Sequence, residues 1–326
     1  MSLKKENNAT NEMNKDIANP LVSIIVITYN SSKHVIETLE SAKAQTYKNI
    51  ELIISDDCST DDTAEICQNW IKKNNSRFVR TEIIKAKKNR GIAPNCNQGL
   101  FNAKGEWVKF IAGDDMLIYN CIETNLNLVK DSEHSFFFSK MKFSQKNERL
   151  REICDSGFKL FNSDDVQLKI ILRGNVLTAP SSFIRVKTLL KLEGFDERFP
   201  MVEDYPMWLK AVKNNYKIIF NDVETVTYRI SNNGISQSET ATNKKLFCEN
   251  LNFKKSWYNF LVKEIFKEQL LYNMPIRALN TLIEVAQFKV IILFNNKKNN
   301  FSVLLRNSLA IFKPNFYNNL LEKLKD

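Results

Sequence analysis

Two pairs of adjacent aspartates follow apolar runs in the first third of the sequence. Asp56-Asp57 begins the string DDCSTDDT, and Asp114-Asp115 ends the string FIAGDD. Neighbouring carboxylates repel each other unless a cation lies between them, and a divalent ion held by one or two carboxylates plus substrate phosphates is the usual solution. Such an ion also neutralises a departing phosphate group. The second pair therefore indicates a metal site, with a solvated acidic turn as the alternative if that pair is taken alone.

The first aspartate pair suits recognition through hydrogen bonds. Its carboxylates can accept from a nucleobase N–H or a ribose hydroxyl, whereas the competing interpretation is a helix-capping box with acids at a helix N-terminus. Arg90, in the string NRGIAPNCN, adds a planar and permanently charged fork that fits a phosphate or a carboxylate. An exposed arginine in a loop is by itself an ordinary feature.

A third acidic pair, Glu203-Asp204, lies in the string MVEDYPMW, shortly after the string GFDE. A carboxylate in this place can act as a general base that deprotonates an acceptor hydroxyl. The pair also begins a predicted helix, so helix capping is a serious alternative.

The elements that must position these residues alternate between strand and helix. Short apolar, β-branched runs predict buried strands at residues 21–28, 50–55, 78–84 and 107–111, with amphipathic helices between them. This alternation predicts right-handed βαβ units in a mainly parallel sheet. Ligands of open parallel sheets bind beyond the carboxyl ends of the strands. The residues expected at that rim are Tyr29, Asn30, Asp56, Asp57, Asn89, Arg90, Asp114 and Asp115.

The pattern changes after Asp115. We expect a helix at 118–130, strands near 135–140 and 178–185, a helix at 203–213, and strands at 218–220 and 226–230. Long amphipathic helical segments follow from residue 244, broken at Pro275 and Pro314. The predicted organisation is a solvated tail at 1–20, an α/β domain at 21–240 with a nucleotide-binding half (21–115) and an acceptor half (116–240), and a basic helical region at 241–326.

Composition excludes several classes of protein. The 326 residues are 43% hydrophobic, which supports a sizeable core. Six cysteines form no CxxC pair, and with only two histidines a zinc site is improbable. Scattered cysteines fit a reducing compartment. The sequence shows no signal-peptide pattern near its start and no apolar run long enough to span a bilayer, so we expect a cytoplasmic protein.

Positive charge is concentrated near the C-terminus. From Lys244 onward there are 14 Lys and Arg against 6 Asp and Glu, so 14 − 6 = +8 of the net +10 lies there. One interpretation is a helical subdomain with a solvated basic face. The other is peripheral attachment to an anionic membrane, on the inner face of the plasma membrane. No recognition motif accompanies the charge, so nucleic acid is not an expected partner.

Taken together, the motifs resemble the inverting family 2 glycosyltransferases of the GT-A fold. The strings that carry the resemblance run in order over residues 22–236: VSIIVITYN, SDDCSTDDT, NRGIAPNCNQG, GEWVKFIAGDD, and GFDE with VEDYPMW. The resemblance implies a Rossmann-like, mostly parallel central sheet with flanking helices. Each motif is loose alone, but five in this order are specific.

The resemblance also implies roles for individual residues. Asp57 is expected to bond the uracil ring, with Asp56 beside it, and Arg90 to lie near the base or the phosphates. Asp114 is expected to reach the ribose or sugar, and Asp115 to bind Mn²⁺ or Mg²⁺ on the diphosphate. Asp204 is the expected catalytic base and Glu203 the second choice. Thr28, Tyr29 and Asn30 are expected at the nucleotide site.

The chain departs from the family pattern at two places. Cys58 stands where the family usually has glycine, and the segment YRISNNGIS lacks the histidine that many relatives carry there. We therefore expect Arg229, as part of a mobile lid, to contact the diphosphate.

The expected function is transfer of a sugar from a nucleotide-sugar donor, with UDP as the expected nucleotide, to a saccharide or lipid-linked acceptor in cell-surface polysaccharide or lipopolysaccharide assembly. A metal-dependent nucleotidyltransferase and a non-catalytic sugar-nucleotide-binding protein are the alternatives. A dinucleotide oxidoreductase is disfavoured, because no GxGxxG follows the first strand.

Overall fold

Four parallel strands form the first half of the sheet. The computed structural model describes residues 19–145, 167–230 and 251–293. Within it, β1 (Val22–Thr28), β2 (Ile50–Asp56), β3 (Arg80–Lys85) and β4 (Trp107–Ala112) lie in the order β3-β2-β1-β4. They are connected by α1 (Val35–Lys43), α2 (Thr63–Asn74) and α3 (Ile92–Leu100). The predicted parallel βαβ arrangement of this half is confirmed.

The second half of the sheet mixes directions. β5 (Met116–Leu117), β6 (Phe136–Phe143), β7 (Phe183–Arg185) and β8 (Ile218–Tyr228) extend the order to β3-β2-β1-β4-β7-β6-β8-β5. β7 is antiparallel to both β4 and β6, and β5 is antiparallel to β8, whereas β6 and β8 are parallel. The two strands expected at 218–220 and 226–230 are one strand, since β8 continues through a register shift against β6.

Helices cover the sheet and continue beyond it. α4 (Cys121–Val129), α5 (Gln167–Arg173), α6 (Val186–Lys191) and α7 (Asp204–Lys213) belong to the α/β part. α8 (Leu251–Phe260) passes through a π-helical turn (Leu261–Ile265) into α9 (Phe266–Leu271), and α10 (Pro275–Leu293) follows. Pro275 begins α10, as expected of a proline in a first helical turn. The predicted tail, the loop after residue 145, the lid beyond residue 230 and the break at Pro314 lie outside the described residues.

The core lies on both faces of the sheet. Alternate residues of β1 point to opposite sides, so Ile25 packs under α3 while Val26 packs under α1 and α2. α3 lies especially close to the sheet, because a Cβ on Gly99 would be 2.4 Å from Ile25 Cγ2. This close approach brings the polar residues of α3 against the carboxyl ends of β1 and β2.

Strand register places the predicted acidic pairs at one edge. Thr28 is aligned with Asp56, and Ile27 is aligned with Ala112 on the other side of β1. The chain therefore leaves β1, β2 and β4 at the same level, where Asp57 and the pair Asp114-Asp115 follow. Among the described helices, none has the length and apolar character needed to cross a membrane.

Candidate active site

Asp56 organises the turn that follows β2. Its buried carboxylate accepts hydrogen bonds from Thr28 Oγ1 at 2.8 Å, and from the amide and hydroxyl of Ser59 at 2.9 and 2.5 Å. The turn places Cys58 at φ +63°, a left-handed conformation that favours glycine. The bond between Thr28 and Asp56 thus holds the ends of β1 and β2 together at this edge of the sheet.

Asp57 holds the loop that precedes α3. Its carboxylate oxygens accept from the backbone amides of Arg90 at 2.9 Å and Gly91 at 2.8 Å. The side chain is only 3% exposed, yet each carboxylate oxygen can accept more than one bond. Asp57 can therefore fix the loop and still accept from a ligand N–H. The Arg90 guanidinium is exposed, with Gln98 Oε1 3.4 Å away.

Tyr29 and Asn30 lie on the open side of this edge. The Tyr29 side chain is 49% exposed, which leaves its ring available to a ligand. Asn30, at φ +51°, accepts from the Thr60 amide at 2.8 Å and so connects the end of β1 to the turn after β2.

Asp114 and Asp115 form a desolvated pair beside β1. Asp115 is 1% exposed, and its carboxylate accepts from the Arg229 amide at 2.8 Å. Burial, followed by the neighbouring charge of Asp114, raises the pKa of Asp115 to about 8. Burial also raises the pKa of Asp114, which remains partly exposed. Gly113 makes the close approach of this turn possible, since a Cβ there would lie 2.9 Å from Thr28 Cγ2.

Arg229 links this pair to α1. Its Nε donates to the Asp114 carbonyl at 2.8 Å, and its Nη2 donates to Glu37 Oε2 at 2.6 Å. The bond from Arg229 lowers the pKa of Glu37 below its usual value. A protonated His34 would lower the pKa of Asp114. The guanidinium expected to contact a diphosphate is thus engaged with α1, and the predicted contact stays a prediction.

Glu203 and Asp204 lie at the N-terminus of α7. Asp204 accepts from Asn175 Nδ2 at 2.8 Å and from the Tyr205 amide at 2.6 Å. Burial raises the pKa of both carboxyls, and that of Glu203 reaches about 8 because the charge of Asp204 adds to burial. At Asp204 the two donors offset part of this rise, whereas at Glu203 the charge of the neighbouring carboxylate adds to it.

One loop connects Asp57 with this third pair. The Ala93 amide donates to the Pro200 carbonyl at 3.0 Å, and a Cβ on Gly91 would lie 2.6 Å from that same oxygen. Asn97 adds bonds to Phe195, accepting from its amide at 2.7 Å and donating to its carbonyl at 2.8 Å. The loop that Asp57 holds on one side therefore supports, on its other side, the segment that leads into Glu203 and Asp204.

Three residues of this site could not be predicted from the sequence. Asn175, Glu37 and His34 carried no motif, and only their contacts in the folded chain connect them to it. No group of three or more His, Cys, Asp or Glu side chains placed to hold a metal occurs in the part of the chain that the structure describes. A metal here would depend on two carboxylates and on ligands from the substrate.

The sheet carries two acidic pairs at one edge, and comparisons with known proteins identify the family. The model of glycosyl transferase family 2 matches residues 23–183. A UDP-Glc:alpha-D-GlcNAc-diphosphoundecaprenol beta-1,3-glucosyltransferase of Escherichia coli is 30% identical over 221 residues, covering 67% of this chain and 81% of that relative. The chain therefore belongs to glycosyl transferase family 2.

Two further similarities bear on length and fold. An uncharacterised glycosyltransferase of Rickettsia bellii is 28% identical over 256 residues, covering 77% of this chain, but this chain spans only 35% of that relative. The structure of a mannosyltransferase from Pyrobaculum calidifontis, in complex with GDP-Man and Mn²⁺, superposes with a TM-score of 0.58 at 16% identity, covering 91% of this chain and 82% of that chain. This likeness confirms the predicted GT-A fold.

Replacing Glu203 by glutamine should change how stability depends on pH. The folded-state pKa of about 8 lies above the ordinary value of 4.5, so the folded chain holds a proton that the unfolded chain loses between these limits. The contribution of Glu203 to the free energy of unfolding is therefore fully present below pH 4.5, and it is lost as the pH rises through about 8. We expect Glu203→Gln to raise the free energy of unfolding more at pH 9 than at pH 5, by about 1 kcal/mol or more.

Urea unfolding at both pH values measures this difference. The exposed Glu65→Gln on α2 is the control, and its effect should be the same at both pH values. If Glu203→Gln and wild type lose stability in parallel between pH 5 and 9, Glu203 does not carry the raised pKa.

Proposed function

We propose that the protein is an inverting glycosyltransferase that moves a hexosyl group from a UDP-sugar to a hydroxyl of a saccharide or lipid-linked saccharide. One observation carries the proposal. Asp57 and the pair Asp114-Asp115 follow parallel strands at one edge, and the loop that Asp57 holds contacts Pro200 in the segment that leads to the partly buried base candidate Asp204. Membership of glycosyl transferase family 2 supports this interpretation.

The proposed donor site uses the rim around Asp57. Its carboxylate, already fixed by two loop amides, would accept the uracil N–H without rearrangement. The half-exposed ring of Tyr29 offers a stacking surface for the base. Arg90, whose guanidinium is exposed, would approach the base or phosphates from the loop. The choice of UDP is supported by the E. coli relative, whose name specifies UDP-Glc.

Asp114 and Asp115 could supply some of the ligands of a divalent cation, with the substrate supplying the others. Both pKa values are raised by burial, and Asp115 is raised further by its neighbour, so a cation would relieve a repulsion that the free chain resolves by binding a proton. Buried Asp115 and partly exposed Asp114 are together the proposed protein ligands of that cation. Bound Mn²⁺ or Mg²⁺ would neutralise charge on the leaving diphosphate. The Pyrobaculum mannosyltransferase was solved with Mn²⁺.

Asp204 is the proposed base. It takes the proton of the acceptor hydroxyl while the hydroxyl oxygen bonds to the anomeric carbon, the bond to the diphosphate oxygen breaks, and free UDP leaves. The bonds from Asn175 and the Tyr205 amide favour the anion of Asp204 against the effect of burial, and they fix its orientation. Glu203, with its pKa of about 8, is protonated at neutral pH and is the poorer base.

The acceptor and the location are proposed on separate grounds. The E. coli relative acts, by its name, on a diphosphoundecaprenol-linked sugar, which supports a lipid-linked acceptor in cell-surface polysaccharide assembly. Cys58, Cys67, Cys96 and Cys121 are free thiols, which fit a cytoplasmic, reducing location.

Asp204→Asn should lower the transfer rate by about 10²- to 10⁴-fold, the range for loss of a general base. Donor affinity should change little, because the proposed donor contacts come from Asp57, Tyr29 and Arg90. Release of free UDP and calorimetric UDP binding measure the two quantities. Asp196→Asn, in the preceding loop, is the control, and wild-type turnover in Asp204→Asn would refute the assignment. Release of pyrophosphate instead of UDP would indicate a nucleotidyltransferase.

Asn175→Ala should shift the acidic limb of the pH–rate profile upward. The bond from Asn175 stabilises the Asp204 anion, and a hydrogen bond to a charged group is worth about 1.5–3 kcal/mol, or roughly one to two pH units. The rate on the plateau should fall less than the rate at low pH. Asn214→Ala, whose amide caps α7 at its other end, should leave the profile in place. An unshifted limb in Asn175→Ala would show that Asp204 is not oriented this way.

Asp115→Asn should remove most of the metal dependence of donor binding. The amide preserves the shape of the side chain and can still accept from Arg229, but it removes the charge. We expect the stabilisation of the protein by UDP with Mn²⁺, measured by thermal shift, to fall to that with UDP and a chelator. The exposed Asp131→Asn should retain the full shift. Equal Mn²⁺-dependent shifts in Asp115→Asn and wild type would rule out the metal site.

A further inference from the structure

The end of α9 and the start of α10 expose an unusual amount of apolar surface. The residues, named here the apolar tip, are Leu270 (54% exposed), Leu271 (68%), Tyr272 (40%), Ile276 (62%), Leu279 (47%) and Leu282 (44%). Single exposed leucines are normal on a protein surface, but six large apolar side chains within thirteen residues indicate an interaction site.

The opposite face of the same helices is packed against the α/β domain. Gln269 donates to the Leu172 carbonyl of α5 at 2.8 Å and accepts from Thr281 of α10 at 2.7 Å. Ala278 and Phe288 are buried. These contacts fix the orientation of α9 and α10, so the apolar tip faces away from the domain.

Charges on these helices are distributed by sign. The acidic side chains turn inward: Glu268 is buried and pairs with Lys213, Glu264 pairs with Arg198 at 3.3 Å, and Glu284 is partly buried. The basic side chains with described positions are all exposed, namely Lys255, Lys263, Lys267, Arg277 and Lys289. The surface around the apolar tip is therefore cationic.

We propose that the apolar tip docks the protein on the surface of an anionic lipid bilayer. Helices with exposed apolar residues and flanking cations bind at the boundary between headgroups and acyl chains, and each cation near the surface adds about 1 kcal/mol. A second copy of the chain fits less well, because a symmetric contact would bring like charges together. The docking concerns residues of α9 and α10, none of which belongs to the proposed donor site, and it stands whether or not the proposed acceptor is correct.

Sedimentation with vesicles tests the apolar part of this surface. Full-length protein should bind vesicles that contain phosphatidylglycerol and bind neutral phosphatidylcholine vesicles at least fivefold less. Leu271→Glu should lower binding to the anionic vesicles at least fivefold. Val79→Glu, which changes an apolar residue of similar exposure (64%) at β3, is the matched control and should bind as wild type.

A charge-reversal pair tests the basic part. Lys267→Glu with Arg277→Glu should abolish the difference between anionic and neutral vesicles, and 0.5 M salt should do the same to wild type. Lys72→Glu with Lys73→Glu, an exposed pair on α2, should keep the preference. UDP binding, measured separately, should be unchanged in every variant, so a failed donor assignment and a failed docking surface give different results.

Three results would overturn the docking. One is equal vesicle binding by Leu271→Glu and wild type. Another is a wild-type dimer in light scattering that Leu271→Glu converts to a monomer, which would make the tip a subunit interface. The third is a large fall in melting temperature of Leu271→Glu with unchanged vesicle binding, which would mean that another part of the chain covers the tip. An exposed residue should instead leave the melting temperature within about 2 °C of wild type.

Discussion

The contact of the Asp57 carboxylate with two consecutive backbone amides is the interaction on which the site depends. Arg90 and Gly91 cannot direct their amides at one carboxylate unless the loop turns sharply there, and Gly91 at φ +102° makes that turn. Charge-assisted bonds of this kind are stronger than neutral ones, and burial keeps water from competing for them. The position of α3 follows from this turn, and so does the position of the segment that packs on it.

The site uses burial differently at its three acidic pairs. Asp56 and Asp57 accept several hydrogen bonds each, so their carboxylates are satisfied by the protein itself. Asp115 is buried and Asp114 partly buried, with fewer donors, and burial raises the pKa of both. Burial raises the pKa of both Glu203 and Asp204, and bonds from Asn175 and the Tyr205 amide offset part of that rise at Asp204. The three acidic pairs therefore differ in how far hydrogen-bond donors compensate for burial.

Much of the fold could be predicted from local signals, because buried parallel strands are short apolar runs and polar residues mark their ends. The single strand β8 was not foreseen, since the polar string NDVET interrupts its apolar pattern where the register shifts against β6. Residues that act through one partner also escaped prediction. Glu37 reads as an ordinary solvent-facing helix residue, and its bond to Arg229 joins positions 192 residues apart. Asn175 is an amide in a loop, and only tertiary packing places it against Asp204.

Gly91 has no side chain, and this has a consequence for how the two halves of the site are coupled. With a Cβ position only 2.6 Å from the Pro200 carbonyl, the two backbones touch with nothing compressible between them. A displacement of the Asp57 loop would therefore be transmitted to the segment that leads from Pro200 to Asp204. Under the proposed function, binding of the donor and alignment of the base would be coupled through this one contact.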